Sequence, residues 1–508
     1  VNEANQSTHS LWQEIKSPRL TGLHQDFTTD VCIVGAGISG LTTAYLLLRN
    51  GFKVAVLDKK NFGVDETGFT TAHLSNALDD TYTNLIKWHG ERGARLAYQS
   101  HTDAIDLIEK IVSEEKIDCD FKRVNGYLFL APGDSTKELN DELEAAHKVG
   151  FTSVKSLSQA PLAHFNSGPC LEYPNQGQFH PLKYLKGLVQ VIQRLGGQIF
   201  TETQVDEIQG GKDAFIKTAG GFKVHSKSVV VATNVPVNNR FTIFTKEAQY
   251  RTYVIGLKVP KGSMAPVLLW DTKDPYHYVR FHSDEALDYD VMIVGGEDHK
   301  TGQGEFPEVH FTRLKTWVRE TFGIEPEVIY HWSGQVVEPV DGLAYIGKNP
   351  MDNGNVYIAT GDSGHGMTHG TIAGILLRDL IMGRENEWAK LYDPGRVNYK
   401  SIGTYLKENL NTASQYVDWI SPGDADSFTN MGLGDGMVIR QGFSKVAVYR
   451  DENGTFHFHS AVCPHLGGIV HWNSAEKTWD CPCHGSRFDR NGVAINGPAN
   501  TDLAPGKH

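Results

Sequence analysis

Apolar positions along the chain follow distinct rhythms, and each rhythm predicts a different kind of element. Near the start the run Val31, Cys32, Ile33, Val34 stops at glycines, the helical stretch LTTAYLLLRN follows, and Lys53 to Leu57 returns as a second apolar run ending at Asp58. That order predicts strand, turn, helix and strand, a βαβ unit. From Thr83 to Lys116 the apolar positions Leu85, Ile86, Ile105, Ile108, Ile111 and Val112 recur at helical spacing among charges, which predicts long amphipathic scaffold helices. Ser135 to Val149 is a further helix stopping at Gly150, and Gly177 to Gly197 reads as a turn and a helix with a glycine cap. QIFTETQVDEI is strand-like, and KSVVVATN (Lys227 to Asn234) is a short apolar strand ending in small residues. Tyr250 to Glu297 then alternates with period two, the mark of a mostly antiparallel sheet. Beyond His331 to Gly347, a strand over Val356 to Ala359 runs into a glycine turn, Gly361 to Gly366, and a helix over Thr368 to Ile381. Short strand patterns fill the last eighty residues or so.

A chain of 508 residues exceeds one ordinary core, so two or three domains are expected. Its 40% hydrophobic and 21% charged content describes a globular protein, and a net charge of -12 without a basic cluster argues against nucleic acid. No apolar run approaches the roughly 20 residues of a membrane span. The opening VNEANQSTHSLWQE lacks the basic and apolar regions of a signal peptide, and a cytoplasmic setting is expected. Cys32, Cys119 and Cys170 stand singly, as buried thiols in a reducing compartment do, whereas Cys463, Cys481 and Cys483 crowd together as metal ligands do.

The glycines after the first strand form GAGISG, Gly35 to Gly40. In a strand–turn–helix setting Gly35 permits the tight turn, Gly37 lets backbone approach a pyrophosphate at the positive helix end formed with Ile38 and Ser39, and Gly40 allows close helix–strand packing. Asp58, followed by Lys59, stands at the distance where an acidic residue meets a ribose. Asp65 to Ala77 is small and hydroxyl-rich, and suits a loop laid along a cofactor with Thr70 and Thr71 as donors; a capped loop before a helix is the alternative. Ala232 and Thr233 end a strand of the kind that passes beneath a cofactor, and the turn with Gly361, Asp362, Gly364 and Gly366 opens a helix whose first NH groups, at Met367 and Thr368, offer a second anion or oxyanion site. No second dinucleotide fingerprint follows, so electrons are expected from an organic substrate instead of a nicotinamide.

GAGISG with Asp58, TGFTTAHL, FHPLKYLKGL, VVVATN, HWSG…PVDGLAYIG and ATGDSGHGMTHG, in this order, resemble the FAD-dependent D-amino-acid-oxidase and glycine-oxidase-like superfamily over about residues 26 to 385. The resemblance implies FAD in a discontinuous domain and oxidation of a C–N bond of an amine or amino acid to an imine by hydride transfer to the flavin. It places Gly35, Gly37 and Gly40 at the pyrophosphate, Asp58 at the ribose, Val205 at the adenine, and Gly361, Asp362, Gly366 and Met367 near the ribityl chain and ring. Relatives often fix a substrate carboxylate with a cation, for which Arg251 and Arg280 are candidates. Tyr253, Trp332 and His365 are further candidates, each with packing as the alternative. The family's attaching cysteine for a covalent flavin is not recognisable.

The tail carries CPHLGG (Cys463 to Gly468) and CPCHGS (Cys481 to Ser486): C-x-H, fifteen intervening residues, then C-x-x-H. Two loops that each offer a cysteine and a histidine supply the two thiolates and two imidazoles of a Rieske [2Fe-2S] cluster, and the pattern resembles the Rieske domain. The match assigns Cys463 and Cys481 to one iron and His465 and His484 to the other. Two Cys and two His also satisfy tetrahedral zinc. High-potential Rieske proteins have a second cysteine where Gly468 stands, bonded to the one at Cys483, and a tyrosine where Phe488 stands. Only Ser486 of the usual donors remains, so a low Rieske potential is expected.

The resulting expectation is an α/β FAD-binding domain (Rossmann-like, of glutathione-reductase type) with an α+β substrate domain and a C-terminal all-β Rieske domain. Residues 1–25 form an N-terminal arm, 26–84, 171–240 and 331–385 the FAD-binding domain, 85–170 and 241–330 the substrate domain, 386–428 a linker and 429–508 the Rieske domain. A flavin accepts two electrons and releases them singly, and the cluster carries one at a time. The expected activity is therefore oxidation of a small-molecule amine or amino acid, drained through the cluster to an external acceptor. A plain oxygen-reducing oxidase with a structural or sensing Rieske domain, and an electron-transfer reductase, are the rivals. An oligomer is compatible with all of these.

Overall fold

The computed structural model describes residues 9–163, 165–238, 243–304, 306–350, 352–419, 421–425 and 427–506. Residues 1–8 of the expected arm lie outside them. The first βαβ unit forms as the pattern predicts: strand Phe27–Val34, helix Ile38–Leu48 and strand Val54–Leu57. Gly35 turns the chain at φ 108°, where a Cβ would strike the Ala232 carbonyl, and a Cβ on Gly40 would strike the Gly35 carbonyl. The two strands sit inside an eight-stranded sheet whose path runs Tyr345–Lys348, Val356–Thr360, Lys223–Val231, Phe27–Val34, Val54–Leu57, Gln198–Phe200. Its centre is parallel, and Val31, Cys32, Ile33 and Val34 are all buried, as strands covered on both faces must be.

The period-two segment becomes the long strands Glu247–Pro260, His277–Ser283 and Tyr289–Lys300 of a nine-stranded sheet. Strands Val328–Pro339, Cys170–Gln178 and His73–Leu74 also belong to this second sheet, although their sequence neighbourhood places them with the cofactor-binding segments. Periodicity identifies a strand but not the sheet that recruits it. The segment expected as a loop over Asp65 to Ala77 contains a one-turn helix, Glu66–Phe69, and that short strand His73–Leu74. The scaffold helix is Thr81–Glu115, broken at Gly90 with φ 72°.

The arm is not merely laid over the body. Trp12 is fully buried, donates from Nε1 to the Thr70 carbonyl at 2.6 Å, and packs against His180 and His282. Its burial pins the segment that carries Thr70.

In the tail, a three-stranded and a four-stranded antiparallel sheet form a small all-β unit. The segment expected as a linker holds the helix Ile402–Ser414, and its closing stretch meets the unit's edge, where Ala425 bridges Ile439. That helix joins body to tail: Asn409 donates to the Thr245 carbonyl, Lys300 pairs with Glu408, and Tyr416 and Trp419 donate to the carbonyls of Leu466 and Gly467. Among the described residues no helix is long and apolar enough to cross a membrane.

Candidate functional site

A cavity of about 390 Å³ opens where the ends of the parallel strands meet the second sheet. Gly35, Gly37, Ile38, Ser39, Asp58, Lys59, Thr70, Thr71, Val205, Ala232, Thr233, Gly361, Asp362, Gly364, Gly366 and Met367 line it, the segments named from the sequence converging on one space. Gly40 stands behind this lining in helix Ile38–Leu48, and Thr368 turns its hydroxyl to His101 Nδ1 at 2.8 Å, away from it.

The donors present fit an FAD. Helix Ile38–Leu48 begins at Gly37 and helix Gly366–Ile381 at His365, and neither N-cap residue caps its helix with its own side chain, although Ile38 N donates to Thr67 Oγ1 at 3.3 Å; both helix starts stand at the cavity, where a pyrophosphate and a flavin ring need backbone NH groups. The Asp58 carboxylate is anchored by the NH groups of Ala36 at 2.7 Å and Lys60 at 2.8 Å, which aims its remaining lone pairs at ribose hydroxyls. Burial and the neighbouring Asp65 raise its pKa to about 6.

The part of the cavity beyond the nucleotide positions is lined by His73, Asp79, Trp270, Tyr276, Tyr278, Asp298 and His365. Tyr276 donates to Asp79 Oδ2 at 2.6 Å, and His365 Nε2 lies 3.1 Å from Asp79 Oδ1. Burial alone would lower His365 and raise Asp79. The charges on Asp79 and Asp80 raise the imidazole instead, and His365 holds the Asp79 carboxyl below the usual carboxylate range. Burial pushes Asp298 up to about 7, against a hydrogen bond from Thr252.

Of the five side chains expected to contact substrate, His365 alone lines the cavity. Arg251 is buried in a pair with Glu476 of the tail, Nη2 lying 2.9 and 3.0 Å from the two carboxylate oxygens. Tyr253 stacks on His310 at 4.6 Å inside the core under the second sheet. Trp332 donates from Nε1 to the Phe69 carbonyl at 2.8 Å within the main core. Arg251 and Tyr253 flank the lining Thr252, so strand alternation turns both from the cavity, whereas Trp332 shares the face of the lining Gly334 but is taken up by the core beside it. Arg280 spends its guanidinium on the carbonyls of Thr71, Ala72 and Phe179.

The tail's two ligand loops fold alike. Cys463 N donates to Gly468 O and Cys481 N to Ser486 O, each at 2.8 Å, while Gly467 N and Gly485 N return to the Cys463 and Cys481 carbonyls at 3.0 Å. The Cys463 and Cys481 side chains meet within hydrogen-bonding reach, and the His465 and His484 rings stand 4.9 Å apart between centroids. The four side chains stand as a sulfur pair and an imidazole pair, the division that a two-iron cluster demands of its ligands. Burial lowers the His484 pKa to about 4, which keeps its ring neutral for ligation. A Cβ on Gly468 would sit 2.5 Å from Cys483 Sγ, so the position that carries a cysteine in high-potential relatives does face Cys483 here. Ser486 bonds the Cys463 sulfur, and Phe488 is buried among the cysteines.

Cluster and cavity are neighbours in this one chain. Gln335 lines the cavity and donates from Nε2 to the carbonyl of Gly485, in the loop beside His484, at 2.9 Å. Phe244 packs edge-on against His465 at 4.7 Å and His484 at 6.1 Å, and shares an apolar cluster with Val235, another lining residue. The tail also walls the nucleotide end. Val493 to Gly497, Asn500 and Asp502 line the cavity, Lys59 donates to the Ile495 carbonyl at 3.1 Å, and Asn496 donates to Glu66 at 2.8 Å. Gln335, Phe244, Glu66 and these tail residues escape sequence reasoning, because their roles come from contacts hundreds of positions apart. Asp79 and the YHYVRF tyrosines lie in segments visible as elements but without a spacing that marks chemistry.

Comparison with known proteins agrees with this geometry. The family model described as FAD dependent oxidoreductase matches residues 30–380, and that of the Rieske [2Fe-2S] domain matches residues 425–505. A Bacillus subtilis (strain 168) protein, YhfW, named as a Rieske 2Fe-2S iron-sulfur protein, is 31% identical over 503 residues, 98% of this chain and 97% of its own. Gamma-glutamylputrescine oxidoreductase of Escherichia coli (strain K12) is 25% identical over 375 residues, 71% of this chain and 85% of its own. Among solved structures, glycine oxidase from Geobacillus kaustophilus superposes with a TM-score of 0.61 at 17% identity, covering 73% of this chain and 99% of that one, a likeness of fold.

Proposed function

The chain belongs to the FAD dependent oxidoreductase family and carries a C-terminal Rieske [2Fe-2S] domain, and from that premise we propose that it oxidises an amine or amino-acid C–N bond to an imine and drains the electrons through its own cluster. FAD in the cavity supplies a two-electron acceptor that gives electrons up singly, and the cluster carries one at a time. The substrate carbon loses hydride, the nitrogen lone pair closes the C=N bond, the N–H proton departs, and the two electrons leave in turn for an acceptor outside the chain. The name of the Escherichia coli relative, with its putrescine amine, supports this substrate class.

The cavity's own residues divide the work. The helix ends beginning at Gly37 and His365 would hold the cofactor's anionic groups. Asp298, with its pKa near 7 and a buried Oδ1 that has no hydrogen-bond partner among the described residues, is suited to take the proton of the substrate ammonium before the C–H bond breaks. The roof made by the second sheet and the tail keeps bulk water from the reacting carbon. The singly placed, buried thiols Cys32, Cys119 and Cys170 support a reducing, cytoplasmic setting.

The observation that carries the electron route is Gln335, which lines the cavity and hydrogen-bonds the His484 loop. Steady-state turnover with ferricyanide, a one-electron acceptor, tests it. Replacing His484 by Ala, and so losing the cluster, should abolish ferricyanide reduction while substrate still bleaches the flavin. Undiminished ferricyanide reduction, or peroxide formed in step with product, would make the protein a plain oxidase.

A further inference from the structure

We propose that the amine oxidised here is a di- or polyamine, whose second, non-reacting ammonium is held by Asp79 among Tyr276, Tyr278 and Trp270. This deepens the C–N oxidation proposed above and rests on it.

Among the described residues, the cavity offers a carboxylate no lysine or arginine at its substrate end. Lys59 is the one lysine or arginine among its lining residues, and it stands at the nucleotide end, bonded to the Ile495 carbonyl. The two buried arginines of the second sheet are committed elsewhere, Arg251 to Glu476 and Arg280 to three backbone carbonyls. A substrate carboxylate in the remaining space would be desolvated beside Asp79 and Asp298, where the one cationic side chain among the described lining residues of that end, the raised imidazole of His365, already lies 3.1 Å from Asp79 Oδ1.

An ammonium finds the opposite. The accessible 28% of the Asp79 side chain faces this cavity, with Tyr276 bonded to one carboxylate oxygen and His365 beside the other. Gly364 passes so close that a Cβ there would strike Asp79 Oδ2, which fixes where the charge sits. The rings of Tyr276 and Tyr278, 5.4 Å apart, and of Trp270 add faces that attract a cation. Asp79 suits a nitrogen that stays charged and not the one that reacts. The reacting nitrogen must become neutral to supply its lone pair, and a carboxylate held ionised would oppose that loss.

The test compares putrescine with n-butylamine, which has the same four-carbon chain but one nitrogen. The holoprotein is mixed anaerobically with each, and with spermidine, glycine, sarcosine and D-alanine, and flavin bleaching is followed optically. Putrescine or spermidine should half-saturate bleaching at about ten- to hundredfold lower concentration than butylamine, the worth of one charge-assisted hydrogen-bonded pair. Asp79→Asn should raise that concentration for putrescine by a similar factor and narrow its gap with butylamine, and Asp79→Glu should restore part of it. The comparison of the two amines on the unmodified protein decides the matter even if Asp79→Asn fails to retain flavin. Bleaching by amino acids in preference to diamines, or equal affinity for putrescine and butylamine, would overturn the inference and leave C–N oxidation standing. No bleaching by any of them would remove C–N oxidation itself, and the inference with it.

Discussion

Arg251 and Glu476, 225 positions apart in the chain, form a buried pair with Nη2 at 2.9 and 3.0 Å from the carboxylate oxygens. Ser333 bonds both partners, and Arg487 reaches the same carboxylate at 2.8 Å. A cation that the sequence offers for holding substrate pairs across the contact between the second sheet and the tail. Arg251→Ala should cost about 3–5 kcal/mol, the usual penalty for breaking a buried pair. Calorimetry should show the loss as a lowered or split unfolding transition, with the half-saturating substrate concentration little changed. A large rise in that concentration without loss of stability would return Arg251 to the substrate.

The same pair makes docking pH-dependent. Burial alone would raise the Glu476 carboxyl, but Arg251 and Arg487 hold it below the ordinary carboxylate range. A group depressed on folding contributes stability that is complete above its unfolded pKa, about 4.3 for Glu, and lost as pH falls through its folded value. The melting temperature should therefore fall as the pH drops below about 4, and Glu476→Gln should flatten part of that fall. Parallel curves for the two proteins would contradict this.

Because the tail walls the nucleotide end of the cavity, FAD affinity should depend on it. Lys59→Ala removes the bond to the Ile495 carbonyl. It should weaken FAD binding about three- to tenfold, the worth of one hydrogen bond. Flavin fluorescence during dialysis or titration of the apoprotein measures this. An unchanged affinity would mean that the tail only approaches the cofactor.

How much of this was legible in the sequence depended on the separation of the partners. Cys463, His465, Cys481 and His484 lie in two short loops, so local spacing revealed them. Gly35 to Gly40 and Asp58 lie in one βαβ unit and were equally plain. What Arg251, Tyr253 and Trp332 touch is set by partners far along the chain that no local spacing encodes: Arg251 meets Glu476, and Trp332 the Phe69 carbonyl. The strand Val328–Pro339 joins the second sheet for the same reason, since its pairing with Glu247–Pro260 follows from topology and not from its own alternation.

The cluster's surroundings bear on its potential. Ser486 bonds Cys463, and apolar Phe488 stands where relatives of high potential carry a tyrosine. Donors to cluster sulfur stabilise the reduced state, so the midpoint should fall in the lower half of the Rieske range of roughly -150 to +300 mV. Phe488→Tyr should raise it and Ser486→Ala lower it, as read by redox titration. A wild-type value near the top of the range would contradict this.

The central claim is that electrons taken from the substrate at the FAD reach the cluster within one chain, by way of the ground between Gln335, Phe244 and the His465 and His484 loops. Anaerobic mixing of the holoprotein with an amine that bleaches the flavin, followed by rapid freezing and electron paramagnetic resonance, tests it most directly. The account predicts that the reduced-cluster signal appears after bleaching and grows as flavin absorbance partly recovers. Full bleaching with no cluster signal, however long the mixture stands, would contradict it.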